Sequence, residues 1–165
     1  MTTTRLPNAR RCVLFDLDGT LADTAPDMVG ALNAVRAQEA LGPLPLASLR
    51  DFVSHGSGYL VRMAFGQDQP ERDYRRRLQA FLAYYRAHLS DATTLFPGMA
   101  DLLSALEANG HAWGVVTNKP AWLTDPLMAA LGLAARASCV VSGDTTAERK
   151  QHPLPMFFAA TQARA

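Results

Sequence analysis

Cys12-Val13-Leu14-Phe15-Asp16-Leu17-Asp18-Gly19-Thr20 decides how the rest of the chain is read. Four apolar residues ending at a carboxylate predict a short buried β-strand that stops at Asp16. Gly19 permits the sharp turn that brings backbone groups close to a ligand. Asp16 and Asp18 stand two residues apart where strand meets turn, so they can share a divalent cation and approach one substrate. One can attack phosphorus while the other exchanges protons with the leaving group, the division of labour that covalent phosphoryl transfer requires. A bare Asp-x-Asp reads as an acidic turn on a solvent edge, so the rest of the chain has to supply the context. An EF-hand is set aside: Asp16, Asp18 and Asp27 have ligand spacing, but Leu21 holds the position of the obligatory glycine and an apolar strand precedes the loop.

Outward from that stretch, Asp23 or Thr24 is placed to cap a helix with Pro26 in its first turn, ending near Gly42-Pro43. Residues 46 to 91 read as entirely helical: a piece over Leu49 to Val53, another from Tyr59 to Phe65, and a long one from Glu71 to Leu89. After Phe96-Pro97-Gly98, Met99, Leu102, Leu103 and Leu106 mark an amphipathic helix stopped by Asn109-Gly110. A strand over Ala112 to Val116, a helix over Ala121 to Leu131, a third strand over Ser138 to Val141 and a helix from Pro153 follow. Strands alternating with helices predict an α/β fold, a Rossmann-like parallel sheet with helices on both faces and an inserted all-helical block. The expected division is 1–23 and 94–165 for the sheet domain and 24–93 for the helical cap. Only three core strands are legible, so the sheet is expected to be incomplete and the chain to stop early.

At 165 residues the chain is long enough for one sizeable core. Apolar residues make up 48% and charged residues 19%, which argues against disorder. A net charge of +1 gives no reason to expect nucleic acid or an anionic membrane as partner. Arg75-Arg76-Arg77 reads as a solvated helix face beside the apolar stripe of Tyr74, Leu78, Phe81, Leu82 and Tyr85. Cys12 and Cys139 sit in separate apolar runs and read as small buried thiols, not a disulfide framework. Met1 to Arg11 is polar and basic, and the apolar run after it is too short for a signal or a membrane span. A reducing, cytoplasmic location is the expectation.

Two further positions bear on chemistry. Thr117-Asn118, directly after the second strand, offers a hydroxyl, an amide and backbone N–H groups beside a helix start, which suits a phosphate and equally a helix cap. Lys150 follows the third strand; a lone loop lysine is ordinarily surface decoration. Together they mean more, because each falls after a successive strand, and the carboxyl ends of parallel strands form the ligand crevice.

Asp-x-Asp-Gly-Thr-Leu-x-Asp-Thr from Asp16, Val115-Val116-Thr117-Asn118-Lys119-Pro120 and Lys150 in Lys-x-His-Pro resemble the first three signatures of the haloacid dehalogenase superfamily, over residues 12 to 158. The resemblance implies a magnesium-dependent phosphomonoester hydrolase. Asp16 would be the nucleophile, forming an aspartyl-phosphate. Asp18 would be the general acid/base, Asp16 and the Asp18 carbonyl would hold Mg²⁺, and Thr117 and Asn118 would hold the phosphoryl group. Lys150 would neutralise its charge. The helical block would be the cap that selects a small phosphorylated metabolite. Within it Ser54, His55 and Gly56 look most like a substrate-facing loop, although His55 also has a plain solvent-exposed reading.

Asp23-Thr24-Ala25-Pro26-Asp27 and Leu95-Phe96-Pro97-Gly98-Met99 look most like phosphoglycolate phosphatases. Phosphatases of N-acetylmuramic acid 6-phosphate share these features, and β-phosphoglucomutases are more distant. Two departures stand out. Gln151 occupies a position where the family commonly has proline, and the fifteen residues after Lys150 contain no Asp or Glu to supply the family's fourth, acidic signature. A non-catalytic, phosphate-binding fragment is therefore the competing reading, with low turnover expected of this chain. A phospho-receiver module has no place for the helical insertion.

Overall fold

The computed structural model of the protein describes residues 11–163, so the polar stretch expected at the N-terminus lies outside the described residues apart from Arg11. In chain order the elements are β1 (Cys12–Phe15), β2 (Ala22–Asp23), α1 (Ala25–Gln38), α2 (Leu46–Leu49), a 3₁₀ stretch (Arg50–His55), α3 (Ser57–Phe65) and α4 (Glu71–Ala87). They continue with β3 (Thr94–Leu95), α5 (Met99–Ala108), β4 (Ala112–Val116), α6 (Ala121–Ala130), β5 (Val140–Val141) and α7 (Leu154–Gln162).

β1, β4 and β5 form a three-stranded parallel sheet in the order β1-β4-β5, with Cys12 opposite Ala112 and Val115 opposite Val140. β4 is buried along its whole length, as a parallel strand covered on both faces is, and β1 is equally apolar though less covered, so both were visible in the sequence as continuous apolar runs. Alternate side chains serve opposite faces. Phe15, Trp113 and Val115 pack with Leu103 of α5 and with Leu127 and Met128 of α6. Leu14 and Val116 turn the other way, toward Ala159 of α7. Helices on both faces of a parallel sheet are thus what the alternation predicted. The third strand is shorter than Ser138 to Val141, although Ser138 still donates to the Trp113 carbonyl at 2.8 Å. β1 is the outer strand, and Val13 on it is exposed. Cys139 is buried and Cys12 partly so. No helix among the described residues is long and apolar enough to cross a membrane.

The helices α1 to α4 bury a second cluster of their own, with Leu32, Val35, Leu60 and Phe81 at its centre, joined by Leu123 from α6. α1 ends at Gln38, earlier than Gly42-Pro43, because Ala40 takes a left-handed φ of 56°. The arginine run is not a uniform solvated face, which corrects the sequence reading. Arg75 is exposed and pairs with Glu71, but Arg76 and Arg77 both reach Glu39 at the end of α1, at 2.8 and 2.6 Å. Arg77 is 15% exposed and lies over the Phe65 ring. It bolts α4 to α1 and α3, because a planar guanidinium can pair with a carboxylate and cover an aromatic face at once.

Where the chain leaves and re-enters the sheet domain, β2 and β3 pair antiparallel, Ala22 opposite Leu95 and Asp23 opposite Thr94. Asp27, in the first turn of α1, reinforces this crossing. Its carboxylate is buried and accepts hydrogen bonds from the Ala92 N–H, the Thr93 N–H and the Thr93 hydroxyl at 2.7 to 3.1 Å.

Candidate active site

The carboxyl ends of the three parallel strands deliver Asp16, Thr117 and, after a loop, Lys150 to one place. The loop after β1 curls back on itself. Ala22 N–H donates to the Leu17 carbonyl at 2.9 Å, and Gly19, at φ 78°, turns the chain tightly enough for its N–H to reach Ala22 O at 3.0 Å. The curl aims both aspartates at the same side. Asp16 Oδ1 accepts the Leu17 N–H at 2.7 Å and the Lys150 ammonium, also at 2.7 Å. Asp18 Oδ1 accepts the Thr24 hydroxyl at 2.7 Å and the Lys119 ammonium at 2.9 Å. In both carboxylates Oδ2 has no hydrogen-bond partner among the described residues.

Thr24 was expected as a helix cap. It occupies the N-cap of α1, but its side chain makes no capping bond and is turned to Asp18 instead. Thr117 is buried, donates its N–H to Val141 O at 2.9 Å and accepts the Lys119 N–H on its hydroxyl at 3.1 Å. Asn118 donates an amide hydrogen to the Lys150 carbonyl at 3.0 Å, so it also fixes the loop that carries the lysine. Behind it, Gly143 N–H donates to Lys119 O at 2.9 Å, and a Cβ on Gly143 would collide with the Asn118 carbonyl. Only glycine lets the two loops approach this closely. Asp144 caps the start of α6 by accepting the Ala121 N–H at 2.8 Å.

Above these groups lies a cavity of about 540 Å³, with the helical block as its roof. Ser54, His55 and Gly56, the helical-block residues singled out from the sequence, line it together with Asp16, Asp18, Thr117, Asn118 and Lys150. His55 is exposed and stacks on Tyr59, ring centroids 4.8 Å apart.

Sequence reasoning missed Lys119, Tyr85, Trp122 and Arg149, all of which line the cavity. Tyr85 had been absorbed into the apolar stripe of α4, where it does belong, but its hydroxyl accepts from Lys119 at 2.8 Å. Burial raises the Tyr85 pKa and keeps the phenol neutral. Burial alone would lower that of Lys119, yet the Asp18 carboxylate and the Tyr85 oxygen outweigh it and hold the lysine charged. A signal for Lys119 was available: the chain has fourteen arginines and only two lysines, and both lysines lie in the connections that leave predicted strands.

Mg²⁺ prefers hard oxygen donors and keeps several waters. The Asp16 carboxylate and the Asp18 backbone carbonyl, which takes no hydrogen bond from another described residue, are donors of that kind. Among the described residues no group of three or more His, Cys, Asp or Glu side chains could hold a metal ion. The residues therefore fit Mg²⁺ in kind, with most of its coordination left to water and substrate.

The chain is similar to several known proteins over most of its length. A phosphoglycolate phosphatase of Xanthomonas campestris pv. campestris is 44% identical over 151 residues, covering 91% of this chain and 67% of the relative. An N-acetylmuramic acid 6-phosphate phosphatase of Pseudomonas aeruginosa is 41% identical over 154 residues, covering 92% and 67%. The chain thus spans about two-thirds of the length of the curated relatives it matches, 65% for a phosphoglycolate phosphatase of Xylella fastidiosa. The crystal structure of a predicted phosphoglycolate phosphatase from Haemophilus somnus 129PT superposes with a TM-score of 0.80 at 28% identity, over 93% of this chain and 71% of that one. The family profile described as haloacid dehalogenase-like hydrolase matches residues 13–164. The chain belongs to the haloacid dehalogenase-like hydrolases.

Proposed function

We propose that this protein hydrolyses small phosphomonoesters with Mg²⁺ through an aspartyl-phosphate on Asp16, and that phosphoglycolate is the first substrate to test. The observation that carries this reading is the pair of cavity-lining carboxylates just after β1, each with Oδ1 held by a lysine and a second donor and with no hydrogen bond to Oδ2 from the described residues. Asp16 Oδ2 attacks phosphorus as the ester P–O bond breaks, and Asp18, protonated beforehand, gives its proton to the departing oxygen. A water molecule then attacks phosphorus, Asp18 takes its proton, and the bond to Asp16 breaks to release phosphate. Lys150 offsets charge on Asp16 and on the phosphoryl oxygens, and Thr117 and Asn118 hold those oxygens. Asp16 and the Asp18 carbonyl would hold Mg²⁺, which would supply further neutralisation of phosphoryl charge. Residues 24–93 act as the cap, with Ser54, His55 and Gly56 facing the part of the substrate that is not phosphate.

A sugar phosphate such as N-acetylmuramic acid 6-phosphate is the second reading. The cavity is roomy for a two-carbon ester, and Trp122 exposes an aromatic face beside it. The ratio of kcat/KM for the two esters decides between them.

Asp16→Asn tests the chemistry. It should lower turnover at least about a thousand-fold while leaving the melting curve intact, and chelation of Mg²⁺ should silence the unmodified protein reversibly. A variant that retained more than a few per cent of the rate would remove Asp16 as the nucleophile. Phosphate binding with no turnover by the unmodified chain would instead support the non-catalytic reading.

A further inference from the structure

Lys119 is a charged side chain that the chemistry above does not use, and it is almost fully enclosed, with 4% of its side chain exposed. Lysine is rarely buried unless paired, so its partners matter. Its ammonium donates to Asp18 Oδ1 at 2.9 Å and to the Tyr85 hydroxyl at 2.8 Å, and it lies 4.6 Å from the centre of the Tyr85 ring. Asp18 belongs to the loop after β1, Lys119 precedes α6, and Tyr85 is on α4 of the helical block. Thr24, the other donor to Asp18 Oδ1, stands at the first turn of that same block. The acid/base carboxylate is therefore gripped by one residue at the root of the block and, through Lys119, by one on its far helix.

We propose that Tyr85 and Lys119 form a latch through which the helical block orients Asp18. With α4 seated, Lys119 and Thr24 both fix Oδ1 and leave Oδ2 as the oxygen that meets the leaving group. With α4 displaced, Lys119 loses its anchor and Asp18 its fixed rotamer, so proton transfer is aligned only over a closed cavity. Tyr85 and Lys119 are positioning residues in this scheme, and neither touches the reacting atoms. The inference rests on the acid/base reading of Asp18, so its test needs one arm that does not depend on turnover.

That arm uses the two lysines of the chain. In the 165-residue protein, brief treatment with an amine-acylating reagent followed by peptide mass spectrometry should modify Lys150 and spare Lys119. In Tyr85→Phe, which keeps the ring and removes the hydroxyl, acylation of Lys119 should rise about ten-fold with Lys150 nearly unchanged, because local opening governs access. The second arm compares kcat/KM for phosphoglycolate, whose alkoxide needs a proton to leave, with that for p-nitrophenyl phosphate, whose phenolate does not. Tyr85→Phe should lower the first about ten-fold and the second about two-fold, since only aligned proton transfer is lost.

Phe81→Leu removes the ring stacked on Tyr85, 5.9 Å between centroids, but keeps the hydroxyl, and should move both readouts in the same direction as Tyr85→Phe by a smaller factor. Equal losses for the two esters in Tyr85→Phe, or unchanged protection of Lys119, would overturn the latch. If the unmodified protein turned over neither ester, the phosphatase reading would fall and the acylation result alone would decide the latch.

Discussion

The floor of the cavity and its roof are built by different means. On the floor, every group expected to meet phosphate is held by several partners from consecutive strand ends: Asp16 by Leu17 and Lys150, Thr117 by Val141 and Lys119, Asn118 against Lys150 and the close-packed Gly143. On the roof, Ser54 and His55 sit at the end of a 3₁₀ stretch, exposed, and His55 is steadied by ring contacts with Tyr59 and Phe52. Fixed groups suit a phosphoryl transition state, whose stabilisation depends on donors that need not reorganise. Loosely held groups suit selection among leaving groups, where a change of side chain alters binding and leaves the floor intact.

This contrast can be broken in three places. The largest effect is expected on the floor. Lys150→Met removes the counter-charge 2.7 Å from Asp16 and should lower kcat/KM by about a hundred-fold or more for every phosphomonoester alike. Kinetics on a panel of esters checks this, and a loss confined to one substrate would move Lys150 from floor to specificity. On the roof, Ser54→Ala with His55→Ala should change the ratio of phosphoglycolate to sugar-phosphate turnover about ten-fold, with p-nitrophenyl phosphate within about two-fold. An unchanged ratio would empty the roof of its proposed role.

The smallest effect belongs to the bolt within the roof. The Arg77 guanidinium holds the Glu39 carboxyl below the usual carboxylate range, chiefly by hydrogen bonding. Glu39 is thus harder to protonate in the folded protein than in the unfolded chain. The pair stabilises the fold at pH above the ordinary carboxylate value and stops doing so as pH falls through the lower folded value. Arg77→Met should cost about 1 kcal/mol near neutral pH, read from urea melts, and the difference from the unmodified protein should shrink as the pH is lowered below the ordinary carboxylate value. A pH-independent loss would assign Arg77's contribution to its packing on Phe65.

The parts of this architecture that the sequence announced are those where a run of residue types repeats. β1 and β4 were legible as unbroken apolar runs, and α5 because Leu102, Leu103 and Leu106 recur at helical spacing. β2 and β3 were not, since strands of two residues carry no period, and their pairing joins positions some seventy apart in sequence. The floor residues were found because strand ends in an alternating fold point to one crevice. Lys119 and Tyr85 escaped for the opposite reason. Their meeting depends on how α4 sits over the loop between β4 and α6, and no local pattern encodes the docking of a helix on a distant loop. Arg77 was misread likewise: its neighbours on α4 suggest a solvated face, while Glu39, its partner, comes from α1.

The paired crossing of β2 and β3 has one more consequence. The two connections between sheet and helices are laced to each other, at Ala22–Leu95, at Asp23–Thr94 and through the Asp27 carboxylate to Ala92 and Thr93. Two separate tethers would let the helices slide, tilt or lift independently at either end. A laced pair removes most of that freedom and leaves rotation about the ribbon, as a book cover turns about its spine. Displacement under such a rotation grows with distance from the axis. A few degrees at Asp23 and Thr94 would therefore carry the far helices through the longest arc, and the Asp27 carboxylate adds to the backbone pairs that stiffen the axis.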